Sequence, residues 1–250
     1  MNVIIFLIAV LSLCLDVSAD EPASRASDDK SSKRYEKRAD HDPNGIGKFY
    51  MEREIAHVMG FAGADWLERE TREEEERLTL LVRSLALKPG QVVADIGAGS
   101  GVISIRMAEQ LLPDGKVMAV DVQEEMLLRL QENCKAFGIR NVEPVKGTQE
   151  ATNLKPESID LAIMVDVYHE FEYPYEMLRD ISNSLKPGGR VVFVEYRKED
   201  PAVPIKEVHK MSQAQVRREA ELPEFRLRWT ETIHILPRQH VIVFTKQPLP

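Results

Sequence analysis

The stretch Val92-Val93-Ala94-Asp95-Ile96-Gly97-Ala98-Gly99-Ser100-Gly101 restricts the fold more than any other part of the chain. A short β-branched run ends in three glycines at alternate positions, and an amphipathic segment from Val102 to Leu112 follows at once. That order reads as a buried parallel strand, a tight turn and the first turn of a helix. The glycines permit positive φ and let a ligand come within contact of the main chain. The helix start beyond them is expected to leave backbone N–H groups free for an anionic group. Asp95 falls at the carboxyl end of the strand, where open α/β sheets bind their ligands.

The same helix-to-strand junction recurs along the chain. Leu87-Lys88-Pro89-Gly90 precedes a strand from Gln91, and Leu185-Lys186-Pro187-Gly188-Gly189 precedes one from Arg190. Pro113-Asp114-Gly115 leads into Lys116 to Asp121, and Gly138 leads into Val142 to Val145. Pro or Gly stops each helix and a β-branched run follows. Strands are predicted near 91–96, 116–121, 142–146, 159–166 and 190–196, with helices near 101–112, 123–137 and 173–186. Strands alternating with helices of this length make parallel β-α-β units. A polar helix is expected from Ile205 to Ala220. Phe225 to Leu236 and Val241 to Thr245 then read as an antiparallel pair. The expectation is an α/β fold: a doubly wound, mostly parallel seven-stranded sheet with a C-terminal antiparallel hairpin.

A nicotinamide-binding turn usually reads G-x-G-x-x-G, whereas here the third glycine, Gly101, comes one place early and Val102 takes its position. An acidic residue just ahead of the first glycine is also foreign to that fingerprint. Asp95-Ile96-Gly97-Ala98-Gly99-Ser100-Gly101 instead resembles the first motif of the class I S-adenosylmethionine-dependent methyltransferases, and the resemblance spans about residues 45 to 247. It implies the Rossmann-like fold, S-adenosylmethionine as cofactor, and a cradle for its aminocarboxypropyl group made by Asp95, Gly97, Ala98, Gly99 and Gly101. Asp121 ends the second strand about 20 residues past the turn, where an acidic side chain can accept both ribose hydroxyls. With Val122 it is expected to hold the cofactor. An Asp there can also simply cap the next helix. Gly147-Thr148-Gln149-Glu150 occupies the adenine position. Many relatives carry Asp after this glycine and this chain has Thr148, which leaves Gln149 or backbone groups for the base.

The apolar fourth strand turns abruptly polar at Asp166-Val167-Tyr168-His169-Glu170-Phe171, which the resemblance places at the methyl group. Asp166 joins the expected cofactor set. His169 is the candidate general base, since an imidazole can take a proton near neutral pH; a structural hydrogen bond is its alternative role. Tyr168 could face the sulfonium, because aromatic rings attract cations. Asp166 and Glu170 could orient His169 or receive polar substrate groups. Methyl transfer from an activated sulfonium needs mainly closeness and alignment, so a firm acid–base pair is not required. Glu195 and Tyr196 close the fifth strand, and His209 reads as a surface histidine on the late helix, with a place in the substrate pocket as the alternative. His169, Glu170 and His209 could meet on a metal, but no pair has spacing such as H-x-x-x-H, and no metal is expected.

The chain ends add context. Val3 to Leu15 is almost wholly apolar and leads to Val17-Ser18-Ala19, the pattern of a cleaved export signal over 1–19, although no Lys or Arg precedes it. The run is shorter than the roughly 20 residues of a spanning helix, and an uncleaved membrane anchor is the alternative. Residues 20–45 are polar and charged and read as a disordered linker. Residues 46–88 read as an N-terminal helical cap, with a long helix from Trp66 to Leu87 and a solvated run Glu73 to Glu76; the resemblance makes Phe49, Tyr50 and Trp66 pocket candidates, with plain core packing as the alternative for each. Residues 89–247 form the cofactor-binding domain. Only two cysteines occur, and Cys134 is expected to be a buried core residue. The formal charge of −8 argues against nucleic-acid partners, which need a basic face. The expected acceptor is therefore a small molecule. Two other classes remain: a nicotinamide-dependent oxidoreductase, disfavoured by the glycine spacing and the lack of a Tyr-x-x-x-Lys pair, and an exported binding module without turnover.

Overall fold

The computed structural model of the protein describes residues 34–248. The expected export signal and most of the expected linker lie outside the described residues. Among the described residues, ten strands form two sheets. The smaller one is antiparallel, in the order β1 (Tyr35–Lys37), β2 (Gly45–Tyr50), β3 (Arg53–Ala56). The larger one has the order β6-β5-β4-β7-β8-β10-β9. Its members are β4 (Val92–Ile96), β5 (Lys116–Asp121), β6 (Val142–Lys146), β7 (Ile159–Val165), β8 (Leu185–Tyr196), β9 (Leu227–Ile233) and β10 (Gln239–Lys246). Strands β4 to β8 run parallel, and β10 pairs antiparallel with β8 and β9. The doubly wound sheet with its terminal hairpin is as expected.

Seven α-helices accompany the strands among the described residues: α1 (Ala64–Leu67), α2 (Arg72–Glu76), α3 (Leu78–Ser84), α4 (Val102–Ala108), α5 (Glu124–Ala136), α6 (Pro174–Ser184) and α7 (Gln213–Ala220). None is long and apolar enough to cross a membrane. Helix α6 opens with Pro174, whose missing N–H costs nothing in a first turn. It buries Met177, Leu178 and Ile181, at helical spacing, against the sheet. Helix α5 likewise buries Met126, Leu127, Leu130 and Cys134, the last as expected.

Because β4, β7 and β8 are covered on both faces, they read as nearly unbroken apolar runs. One face packs Phe193, Phe244, Tyr168 and Ile181 together, and the other packs Val192, Leu161, Leu81 and Met107. Phe193 is fully buried edge-on against both Tyr168 and Phe244, so truncating it to alanine would cost about 3–5 kcal/mol.

The N-terminal region departs from its expected form. Residues 45–56 are a hairpin rather than helix, and its turn residues Met51 and Glu52 both have positive φ, +47° and +71°. Such turns normally carry Asn-Gly, so the hairpin left no sequence signal. Tyr35–Lys37, placed in the disordered linker, pairs with Lys48–Tyr50 instead. Tyr35 is held by ring contacts to Tyr50 and Tyr173 and by a hydroxyl bond to Glu176. The expected long helix from Trp66 is three short ones, broken between α2 and α3 by Arg77 at φ +54°. The expected late helix starts at Gln213, after a 3-10 turn at Glu207–His209.

Candidate functional site

Strand order reverses between β4 and β7, and ligands of open α/β sheets bind where such a reversal opens a crevice at the carboxyl ends. Both strands leave the sheet there through left-handed backbone. Gly97, Gly99 and Gly101 follow β4 with φ of +73°, +54° and +85°, and Asp166 follows β7 with φ of +51°. Glycine takes that conformation without steric cost, whereas Asp166 does so at roughly 1–2 kcal/mol. Gly97 and Ala98 both donate to the Val120 carbonyl, at 2.8 and 3.0 Å, which laces the turn to β5. A Cβ on Gly97 would lie 2.5 Å from Val167 Cγ2.

Asp121, at the end of β5, is fixed by two backbone donors: Gly99 N–H bonds Oδ2 and Gln123 N–H bonds Oδ1, each at 2.8 Å. Burial raises its carboxyl pKa, opposed by those two bonds. Of the residues expected to hold the cofactor, Gly97, Gly99, Asp121, Val122, Gln149 and Asp166 line one cleft. Thr148, where relatives carry Asp, lines it too, but its hydroxyl accepts from Glu150 and Ala151 N–H and so shapes its own loop.

Three expected members stand back from that cleft. Asp95 is buried below the turn, where its Oδ2 accepts from Ser104 Oγ at 2.7 Å, and burial pushes its carboxyl up to about 6. Ala98 spends its N–H on Val120. Gly101 donates to the Ala98 carbonyl at 3.0 Å, and a Cβ there would meet Leu130 Cγ at 2.7 Å, so this glycine lets α5 approach. Gly97, Ala98, Gly99 and Gly101 thus each spend their N–H group within the protein.

A second cavity adjoins the first. Met59, Leu67, Val165, Asp166 and Glu170 line both. Its remaining wall includes His57, Trp66, Arg72, Glu76, Tyr196 and His209. His169 stands in a 3-10 turn after β7 (Tyr168–Glu170) with Nδ1 2.6 Å from Glu195 Oε2. Its Nε2 is 3.1 Å from His209 Nδ1. The other oxygen of Glu195 accepts Tyr168 N–H at 2.9 Å. Burial shifts this group strongly: Glu195 rises to about 8 and Glu170 to about 7, while His169 and His209 fall to about 4. Arg53 of β3 braces the turn from behind, donating to the His169 carbonyl at 3.2 Å while pairing bidentately with buried Glu219.

Several expectations change here. Tyr168 is not beside the cofactor: its ring is wholly buried against Phe171 and Phe193, and its hydroxyl donates to Glu219 at 2.6 Å. His209 is not on a helix surface but on the 207–209 turn, facing His169. Glu76, read within a solvated run, is 1% exposed and accepts from Arg72, Arg69 and Tyr196. Phe49 and Tyr50 pack inside the hairpin region, and of the three aromatic candidates only Trp66 reaches a cavity. Met59 and Arg72 carried no sequence signal as site residues.

The acidic side chain at the end of β5 and the glycine turn after β4 define a Rossmann-like enzyme that binds an adenosine-containing cofactor at its switch point. Asp166 Oδ1 is buried without a hydrogen-bond partner among the described residues, in a residue that walls the cleft. Burial, with the charges of Glu76 and Glu195, keeps that carboxyl pKa well above its ordinary value. A cofactor bringing an ammonium group and a ribose diol suits such a pair of acids.

A family profile described as a methyltransferase domain matches residues 87–235. The chain belongs to this family, the class I S-adenosylmethionine-dependent methyltransferases. It is 32% identical over 106 residues to an arsenite methyltransferase of Halobacterium salinarum, covering 42% of this chain and 27% of that one. It is 27% identical over 120 residues to the ubiquinone/menaquinone biosynthesis C-methyltransferase of Wigglesworthia glossinidia brevipalpis, covering 48% of each. The matches thus span half or less of these curated relatives. A crystal structure of an S-adenosylmethionine-dependent methyltransferase from Aquifex aeolicus superposes with a TM-score of 0.70 at 22% identity, covering 76% of this chain and all of that one. A putative methyltransferase of Methanococcus maripaludis gives 0.62 at 18% identity, with 78% and 97% covered. These two show the shared fold.

Proposed function

We propose that the enzyme methylates a small organic acceptor bound in the second cavity, with S-adenosylmethionine in the cleft beside the glycine turn. The observation that carries this reading is the shared wall: Met59, Asp166 and Glu170 border both spaces, so two ligands can meet there. S-adenosylmethionine supplies a methyl group already activated on a sulfonium. In this reading Asp121 accepts from the ribose hydroxyls, Asp166 pairs the ammonium group, and Gln149 lies at the base. His169, held by Glu195, presents Nε2 toward the acceptor. Met59 and Leu67 exclude water between the ligands, which favours transfer to the acceptor over hydrolysis.

Of the relatives' named substrates, a quinone-like organic ring suits the cavity better than arsenite. Arsenic(III) is a soft ion that prefers thiolates, and no cysteine lines the cavity. The apolar run Val3 to Leu15 supports export as the setting of the reaction.

Calorimetric titration of the full chain with S-adenosylmethionine, its demethylated product and NAD tests the donor assignment. Saturable binding of the first two is expected, weakened about tenfold or more by Asp121→Ala, which removes charged hydrogen bonds. Binding of NAD alone would overturn it. Release of the demethylated product with reduced quinones, but not with arsenite, is the outcome expected of an acceptor screen.

A further inference from the structure

The pair His169 and His209, forty positions apart, meets Glu170 at the border of the two cavities. His169 Nε2 lies 3.1 Å from His209 Nδ1, and Glu170 Oε1 lies 3.8 Å from each of those nitrogens. Three ligand atoms on a tetrahedral zinc ion, with bonds of about 2.0–2.1 Å, stand about 3.3 Å apart. Side-chain shifts of about half an ångström would bring these three to that spacing.

Two of the three ligands are also aimed from behind. His169 Nδ1 is bonded to Glu195 Oε2 at 2.6 Å, the carboxylate–histidine arrangement that fixes which ring nitrogen is presented to a metal. Glu170 Oε2 accepts the Met59 N–H at 3.2 Å, which turns Oε1 toward the imidazoles. In the His169–His209 contact, one nitrogen must supply the proton between the two rings. A divalent cation takes that proton's place and satisfies both nitrogens and the carboxylate together.

We infer that His169, Glu170 and His209 form a binding site for a single divalent metal ion of the zinc type, with Glu195 orienting His169 and the fourth position open to the acceptor cavity. Two imidazoles and one carboxylate favour zinc over magnesium or calcium, which prefer all-oxygen sets. A three-ligand site with an open position is the pattern of catalytic rather than structural zinc. The open position would bind an oxygen, nitrogen or sulfur atom of the acceptor and favour loss of its proton to solvent, leaving a lone pair aimed at the methyl group. This last role rests on the methyl-transfer reading; metal binding itself does not.

The test uses the full chain, stripped with a chelator and titrated with zinc, cobalt(II) and magnesium. One equivalent of zinc should bind, and cobalt should give the intense visible bands of a four-coordinate site. Magnesium should give no saturable heat. His209→Ala and Glu170→Gln should each weaken zinc by about tenfold to a hundredfold or more, with circular dichroism unchanged. The S-adenosylmethionine affinity of His209→Ala, measured on the same sample, serves as the control for an intact fold, since His209 does not border the donor cleft. No zinc binding, or equal zinc affinity in wild type and both variants, overturns the site. Zinc loss in His209→Ala with cofactor binding retained supports the site. A chain that binds zinc but not S-adenosylmethionine supports the site and removes the methyl-transfer reading instead.

Discussion

The cofactor cleft and the cavity proposed for the acceptor share a wall but are built by different means. The donor side comes from one short segment and its immediate neighbour: the turn at 97–101 and Asp121, held by backbone bonds to Val120, Gly99 and Gln123. The acceptor side is assembled by side chains from distant parts of the chain. His169 meets Glu195 and His209, Glu76 meets Tyr196, and Arg53 of the N-terminal hairpin supports the His169 carbonyl. Backbone geometry tolerates side-chain change and forbids little except at glycine. A side-chain cluster depends on each member. The first kind of site can therefore be shared across a family, while the second can be specific to one acceptor.

The substitution expected to act most strongly is Gly97→Ala. It places a Cβ 2.5 Å from Val167 in a left-handed backbone, so S-adenosylmethionine affinity should fall by about a hundredfold or more, together with stability. Zinc binding measured on the folded fraction should persist, and its loss would show that the two sides are not separately built.

Asp95 tests the donor side through pH. Its carboxyl is raised to about 6 by burial, so the folded chain holds this proton through a range where the unfolded chain has lost it. Stability conferred by the protonated form is present below about pH 4, is lost as pH rises to about 6, and stays lost above. The rise of the Asp95 carboxyl to about 6 corresponds to about 3 kcal/mol. Asp95→Asn should flatten that part of the denaturant-melt pH profile relative to wild type. An unchanged profile would mean that Asp95 is ionised in the fold.

Glu195→Gln bears mainly on the acceptor side, with a smaller electrostatic effect on Asp166. The glutamine can accept Tyr168 N–H only by turning its amide toward His169 Nδ1, which forces the other imidazole tautomer and covers Nε2 with a proton. Zinc affinity and turnover should fall about tenfold to a hundredfold, the usual effect of removing such a supporting carboxylate. Cofactor affinity should stay within about threefold by calorimetry, which would confirm that the two sides separate. The smallest change is expected from Trp66→Ala. Trp66 is half exposed with Arg69 stacked 3.6 Å from its ring, a contact worth about 0.5–1 kcal/mol. The acceptor KM should rise about threefold with kcat unchanged in steady-state assays.

How far the sequence could be read follows the same division. The strand-turn-helix at 92–108 and the acid ending β5 are local patterns, and local patterns specify local backbone. So the sheet, its terminal hairpin and six residues of the cleft lining could be read. Gly101 shows the boundary of that reading: its residue type was a correct sign of close approach, but the neighbour is Leu130 rather than a ligand. The acceptor side depends on contacts such as His169 with His209 and Arg53 with Glu219, for which spacing carries no information. Glu76 was hidden because four consecutive glutamates look solvated, and only the placement of Arg72, Arg69 and Tyr196 buries one of them. Met51 and Glu52 hid the N-terminal hairpin by forming its turn without glycine or asparagine.

Asp166 has a consequence for reaction order. One side chain borders both spaces, is left-handed, and carries an oxygen that the protein does not pair. An ammonium group arriving from the donor side changes the charge presented to the acceptor side. The two affinities are therefore expected to be coupled, and the coupling must be equal in both directions. In kinetic terms, a sequential pattern is expected, with intersecting initial-rate lines whose crossing moves toward independence in Asp166→Asn.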